Sequence, residues 1–299
     1  MSGSRLWRYP APAGRFLLRR WPSDGPGLVA LLEIHGWVAA ASDLDLLAVP
    51  IRGLDGRTVQ QVGRDLWEVA PWLPGVAETA IPPDAGRARL AFEALGKVHA
   101  RLGGLGDLGR SPGVDRRLAE TTALIERGFA RIDGELRILG DDEAVSLARR
   151  WLSSARVAAP AVRETLSVEA GRTIRRQPCF RDVRPSHFLF EGDRVSGLID
   201  YGAMGRETVA ADLARLGSEW FPGDEPGRNQ AFAAYRTVRP LDARDLTMIA
   251  VFERSADVLL GGHWVRWHFV ERRRFEDPSA VLTGLRRGVE RVERLALSV

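Results

Sequence analysis

Residues Cys179–Leu216 read CFRDVRPSHFLFEGDRVSGLIDYGAMGRETVAADLARL. A polar loop, Arg181 to His187, runs into the apolar triplet Phe188-Leu189-Phe190. Glu191-Gly192-Asp193 supplies turn chemistry, and Val195 to Ile199 returns as a second apolar run. The spacing predicts a hairpin. A hairpin brings its two ends together, so Asp182, His187 and Asp200 should converge. One carboxylate there can accept the proton of an attacking hydroxyl. The second, helped by a neutral neighbouring ligand, can hold Mg²⁺ against triphosphate oxygens. Together these groups are the minimum for phosphoryl transfer.

Before this stretch, the chain changes character once. Ser4–Tyr9 and Arg15–Trp21 are short apolar and aromatic runs separated by Pro10-Ala11-Pro12-Ala13-Gly14, which predicts a hairpin. Leu28, Leu31, Leu32, His35 and Val38 recur at helical spacing. Asp55-Gly56 predicts a tight turn between extended runs Val49–Leu54 and Thr58–Gly63, and Leu66–Trp72 is a further extended run. From Asp84 the pattern is helical: Ala85–Leu102, Arg116–Ile132 and Asp142–Ala155. Helices return after the hairpin at Thr208–Glu219, Gly227–Tyr235, Ala243–Val270 and Pro278–Leu297. The expected division is a β-rich lobe, residues 1–74, and a helical lobe, residues 75–299.

Composition narrows the chemistry. The chain has 299 residues, 45% hydrophobic and 27% charged, enough for one large domain or two modest ones. Lys97 is the only lysine among 43 basic residues, so no Schiff-base or P-loop lysine can sit elsewhere. A single cysteine, Cys179, excludes an intramolecular disulfide and any zinc site built on several thiolates of this chain. A reducing, cytoplasmic setting is expected. The formal net charge of +4 is spread among acids with no basic tract, so no nucleic-acid partner is expected. The best apolar stretch, Leu28–Val38, is short and broken by Glu33 and His35, and MSGSRLWRYP lacks the apolar centre of a signal peptide. No membrane association is expected.

The central stretch resembles the aminoglycoside phosphotransferase and choline kinase group. That family's catalytic loop is His-Gly-Asp, four residues, then Asn; an Ile-Asp-Phe-Gly-like motif follows the hairpin, and Asp-Leu-Ala lies on a later helix. This chain has Phe180-Arg181-Asp182, four residues, then His187; Ile199-Asp200-Tyr201-Gly202; and Asp212-Leu213-Ala214. The resemblance implies an α+β, two-lobed protein-kinase-like fold, with a small, truncated β-rich N-lobe and a larger helical C-lobe. It implies transfer of the ATP γ-phosphate to a small-molecule hydroxyl, with Mg²⁺, or Mn²⁺, as the metal. By resemblance Asp182 is the catalytic base, Asp200 the main metal ligand and His187 the ligand standing in place of Asn. Asp212 would accept hydrogen bonds from the catalytic-loop backbone. Gly14–Trp21 is similar to the strand that carries the family's phosphate-pairing lysine, and Arg19 falls at that place. Arginine can hold phosphate bidentately. Glu33 on the next helix would be its carboxylate partner. Leu66–Gly75 resembles the adenine-binding hinge; Pro71 lacks an N–H, so Trp72 is the expected backbone donor.

Three departures keep a second reading open, that of a nucleotide-binding or scaffolding pseudokinase. By comparison with the family, the first strand and much of the phosphate-covering loop are missing, with Met1-Ser2-Gly3-Ser4 as the stump. His187 replaces Asn, and imidazole suits Mn²⁺ or Zn²⁺ better than an amide oxygen does. Phe180-Arg181 replaces His-Gly. The late run GGHWVRWHF, Gly261–Phe269, either packs helices or lines an acceptor pocket. Lys97 and His99 read as a surface and a core-edge helix residue, respectively.

Overall fold

The computed structural model describes residues 4–81 and 83–298. Of the Met1–Ser4 segment, only Ser4 therefore lies within the described residues. In chain order the elements are β1 (Arg5–Ala11), β2 (Gly14–Trp21), α1 (Leu28–Ala40), β3 (Gln60–Val62), β4 (Asp65–Pro71), β5 (Val76–Ala77), α2 (Ala85–Leu102) and β6 (Asp107–Gly109). Then come α3 (Pro112–Ala123), α4 (Phe129–Arg137), α5 (Glu143–Ala170), β7 (Ile174–Cys179), β8 (Phe188–Glu191), β9 (Arg194–Leu198) and β10 (Gly205–Glu207). The chain finishes with α6 (Val209–Trp220), α7 (Glu225–Val238), α8 (Ala243–Val265) and α9 (Ser279–Ala296). A π-helical turn, Leu124–Gly128, joins α3 to α4, and a second, Arg266–Val270, continues α8. No helix among the described residues is long and apolar enough to cross a membrane.

The chain divides into two compact units, Met1–Asp107 with Arg175–Asp245, and Leu108–Ile174 with Leu246–Val299. In the first unit, β1 and β2 form the expected hairpin, and β4 then β3 extend the sheet in the order β1-β2-β4-β3. The register sets Arg19 of β2 directly opposite Glu68 of β4. Trp21, Leu31 of α1 and Val59 make a small core under this sheet. The run expected as a strand at Val49–Leu54 is instead a loop. Pro50 has no N–H for a ladder, and only Ile51 N–H reaches β4, at the Val69 carbonyl, 2.8 Å. The Asp55-Gly56 turn forms: Asp55 Oδ1 accepts the Arg57 N–H at 3.0 Å and Gly56 takes φ 77.

The same unit carries the central hairpin. β8 and β9 pair antiparallel, with Phe188 opposite Leu198 and Gly192 at φ 58 in the turn. Helix α2, capped by Asp84 at the Arg87 N–H (2.9 Å), packs on α7. Strands β7 and β10, unexpected from the sequence, pair Cys179 with Gly205 at the two ends of the segment that holds the central hairpin.

The second unit is helical. α5 runs 28 residues, through Pro160 and well past the Ala155 end that the periodicity predicts. Packing overrides the lost backbone donor: Ala158, Ala159 and Val162 around the proline are all buried. α5 packs along α9, where Arg150 makes a bidentate pair with Glu293 at 3.0 and 2.9 Å. Trp151 of α5 is fully buried, and Gly261 admits it: a Cβ there would lie 2.3 Å from its Cδ1.

Candidate active site

The loop segment that starts at Phe180 hangs from one carboxylate. Asp212, on α6, accepts the Phe180 N–H at 2.7 Å and the Arg181 N–H at 2.6 Å, as the resemblance implies. Its Oδ2 also meets His99 Nε2 at 3.1 Å. His99 Nδ1 lies 2.9 Å from the Tyr235 hydroxyl, and the His99 carbonyl accepts from Gln177 at 2.7 Å. Burial holds His99 below its ordinary value of 6.5, although Asp212 pulls the other way. A neutral ring that donates to Asp212 and accepts from Tyr235 satisfies every partner. His99, Cys179 and Asp212 present ligand atoms within 4.8 Å of one another. Each already has hydrogen bonds, Cys179 with the Glu207 carbonyl at 3.3 Å. Burial also pushes the Cys179 thiol well up. The cluster is a brace for the loop.

From that brace the backbone turns sharply. Arg181 has φ 64, the left-handed region that favours glycine. Asp182 follows, half-exposed, with Arg215 Nη2 at 2.5 Å and Arg184 Nη2 at 3.3 Å. Arg215 lies on α6, three residues beyond Asp212, so one helix both braces the loop and pairs its acid. A helical turn at Pro185–His187 then buries His187, whose backbone carbonyl accepts the Ile199 N–H at 2.9 Å and ties the two hairpin ends together. Asp200 follows at φ 61, also left-handed. Non-glycine residues with positive φ cluster at functional sites, where surrounding structure holds them.

His187 Nε2 lies 3.8 Å from Asp200 Oδ2. Burial lowers the His187 pKa, while the carboxylates of Asp200 and then Asp182 oppose the shift. Of the three residues expected to converge, His187 and Asp200 lie 3.8 Å apart, and Asp182 acts on the same imidazole electrostatically. These groups fit a divalent cation. Two ligands each about 2.1 Å from one ion can lie up to about 4.2 Å apart, and the observed 3.8 Å is within that limit. Lowered basicity keeps the ring neutral, as ligation requires. His187 Nδ1 is buried with no hydrogen-bond partner among the described residues.

The N-terminal sheet supplies a buried charge cluster. Arg19 is 5% exposed and Glu68 2%. Arg19 Nε lies 3.6 Å from Glu68 Oε1, and the guanidinium stacks over Trp21 (4.7 Å) and Tyr201 (5.6 Å). Glu68 also accepts from Trp21 Nε1 at 3.0 Å and from the Tyr201 hydroxyl at 3.3 Å, and meets His35 Nε2 at 2.7 Å. Burial alone would raise the Glu68 pKa, but His35, Arg19 and Trp21 outweigh it and hold the carboxyl below its ordinary 4.5. Arg19 Nε and Nη1 find no hydrogen-bond acceptor among the described residues. Buried guanidinium donors left over in this way are costly, and an anion would satisfy them.

Glu33 is not brought to Arg19; it is exposed on α1, 3.9 Å from Arg206. The carboxylate at Arg19 is Glu68, with His35 as the contribution of α1. The Trp72 N–H donates to the Arg15 carbonyl at 2.9 Å, which spends it within the N-terminal sheet rather than offering it to a base. Gly202 lets the metal-motif segment approach the sheet: a Cβ there would sit 2.4 Å from the Trp21 ring. Sequence reasoning missed Glu68, His35 and Arg215. His35 did carry a signal, as a polar residue within the apolar stripe of α1, and Glu68 becomes visible once β2 and β4 are set in register.

Comparison with known proteins bears on this geometry. The model of the phosphotransferase enzyme family matches residues 2–246. A homoserine kinase of Gluconobacter oxydans is 27% identical over 201 residues, 64% of this chain and 57% of that protein. The chain therefore spans less than two thirds of that relative's length, and the match to a homoserine kinase of Polaromonas naphthalenivorans, 28% identical over 90 residues, covers 28% of each chain. Among solved structures, amicoumacin kinase in complex with AMP-PNP, Ca²⁺ and Ami superposes with a TM-score of 0.66 at 15% identity, covering 97% of this chain and 86% of that one. A microcompartment-associated aminopropanol kinase gives 0.64 at 16% identity, covering 99% and 93%. At these identities the structural likeness establishes the fold: a small antiparallel sheet at the N-terminal end and a larger helical part.

Proposed function

This chain belongs to the phosphotransferase enzyme family, and on that premise we propose that it moves the γ-phosphate of ATP to the hydroxyl of a small molecule. The observation that carries the reading is a half-exposed carboxylate, Asp200, 3.8 Å from His187, with a second, Asp182, acting on the same ring from a loop clamped by Asp212. Asp182 orients the acceptor hydroxyl and takes its proton. Asp200 and His187 hold a divalent cation, which when bound neutralises charge on the triphosphate. Arg19, paired with Glu68, which His35 also meets, is the cationic group for phosphate oxygens. Most of the rate enhancement then comes from positioning and charge neutralisation.

The test has two stages. Purified protein is melted with ATP plus Mg²⁺ or Mn²⁺; a nucleotide-dependent rise in Tm is expected, lost in Asp200→Ala. ADP release is then followed with homoserine, an amino alcohol and an aminoglycoside, the acceptor types named for a homoserine kinase, an aminopropanol kinase and an aminoglycoside phosphotransferase that this chain resembles. Transfer to any hydroxyl acceptor, abolished in Asp182→Asn, is the expected result. A second reading, nucleotide binding without transfer, draws on the Arg215–Asp182 pair at 2.5 Å, which occupies the base. It requires a Tm rise with ATP and no ADP release from wild type or from Arg215→Ala. No Tm rise with either metal would sink both readings.

A further inference from the structure

The second unit carries a half-open cavity of about 290 Å³, and none of the residues of the 180–187 loop line it. This is near the lower end of the range for small-molecule sites. Leu124, Ile132, Leu259 and Val270 supply apolar wall. Arg127, Arg131 and Arg266 also line it, against one carboxylate, Glu120.

The charges do not balance within the protein. Glu120 is 3.5 Å from His263 Nε2, and that contact leads the causes holding its carboxyl below the ordinary range. Arg266 is met by Glu271 at 2.9 Å, which pairs Arg273 as well. Arg127 and Arg131, four apart along the chain, have no ion-pair partner among the described residues. Two like charges so placed repel each other and gain nothing from the fold. An apolar wall lined at its edge by two exposed arginines without an ion-pair partner is complementary to an anion with an apolar body.

The backbone around the cavity is a second, independent observation. Both π-helical turns line it: Leu124, Arg127 and Gly128 come from one, and Arg266 and Val270 from the other. Such turns make up well under about 1% of residues in globular proteins and concentrate at functional sites. A π turn widens the helix by one residue and re-aims the side chains beyond it. Here two of them shape one cavity. The late tryptophans go elsewhere: Trp264 packs on Trp267 and Phe275 at 5.4 Å each, and neither Trp264 nor Trp267 lines the space.

We propose that this cavity is a binding site for a small organic anion, a carboxylate or phosphate ester on an apolar or aromatic body, with Arg127 and Arg131 as its anion-binding pair. Guanidinium groups can grip such oxyanions bidentately, whereas polycationic ligands are repelled. The site is independent of the phosphoryl-transfer reading, and it stands or falls on its own residues.

Saturation-transfer NMR on the full chain tests it with three probes of one shape: phenylacetate, phenyl phosphate and phenethylamine. At least one of the two anions binds and the amine does not; which anion binds more tightly separates a carboxylate ligand from a phosphate ester. The Arg127→Gln/Arg131→Gln double variant weakens anion binding by about tenfold or more, the worth of one charge-assisted hydrogen bond. Its far-UV circular dichroism and Tm stay those of wild type, because neither side chain is paired in the fold. If the variant fails to fold, the single Arg131→Gln carries the same test. Equal binding by the amine, unchanged binding in a folded variant, or no binding by either anion overturns the proposal.

Discussion

Arg181 stands where the family carries glycine, and its φ of 64 is the conformation glycine adopts most easily. Asp212 accepts hydrogen bonds from the Phe180 and Arg181 N–H groups, so the loop backbone is held in place despite the departure at this position. At Arg19 the chemistry is rearranged. Glu68, not Glu33, is the carboxylate beside the guanidinium. Glu68→Gln should raise KM for ATP about tenfold, with a smaller effect on kcat, and lower stability by about 3–5 kcal/mol, as breaking a buried ion pair does. Glu33→Gln should change neither, and steady-state kinetics with urea melts on both variants decide the matter. His187→Asn, the family's own residue, should move the metal preference from Mn²⁺ toward Mg²⁺. Because burial keeps the His187 pKa below 6.5, metal-dependent ATP affinity should stay level from about pH 8 down to about pH 6.5 and decline below. The Asn variant should lack that decline, read by titrating nucleotide affinity against pH.

At the scale of elements, hydrophobic periodicity located the first hairpin, α1, α2 and the central hairpin, because each is decided by local spacing. It failed where packing overrides local preference. α5 continues through Pro160, and Val49–Leu54 yields its place beside β4 to a loop. The two π turns left no mark on the sequence pattern, which showed single helices over Arg116–Ile132 and Ala243–Val270. Close approaches between elements predict sharp effects. Gly202→Ala would drive a methyl into the Trp21 ring, and Gly261→Ala into Trp151. Each should cost about 1–3 kcal/mol, the range for overpacking a core. Urea titration reads both losses. Gly202→Ala should in addition reduce the ATP-induced Tm rise, whereas Gly261→Ala, in the second unit, should leave it intact.

Across the whole molecule, buried titrating groups set an acid limit on stability. His99 and His187 are both held below 6.5 by burial. The unfolded chain therefore takes up those protons first, so their contribution is complete above about pH 6.5 and is lost as pH falls through the folded values. Glu68 lies below its ordinary 4.5, so its contribution is complete above about pH 4.5 and disappears below. The urea midpoint should fall in two stages as pH drops from about 7 into the carboxylate range, and Glu68→Gln should diminish the second stage, to which Glu78 and Glu120, also held below their ordinary range, contribute as well. A single-stage decline unaltered by that substitution would contradict the assignment.

The sequence by itself determined the central hairpin, the order and spacing of Asp182, His187 and Asp200, the place of Asp212, and the fact that Lys97 is the only lysine. Those features are short-range: a strand period, a turn and a four-residue spacing carry them. Only the tertiary structure decided which groups surround them. His35 meets Glu68 across 33 residues and His99 meets Asp212 across 113. The partner of Arg19, the occupied Trp72 N–H and the unmatched arginines of the helical cavity depend likewise on sheet register and helix packing. Burying a charge is costly unless a partner reaches it, and which partner reaches is settled by the fold.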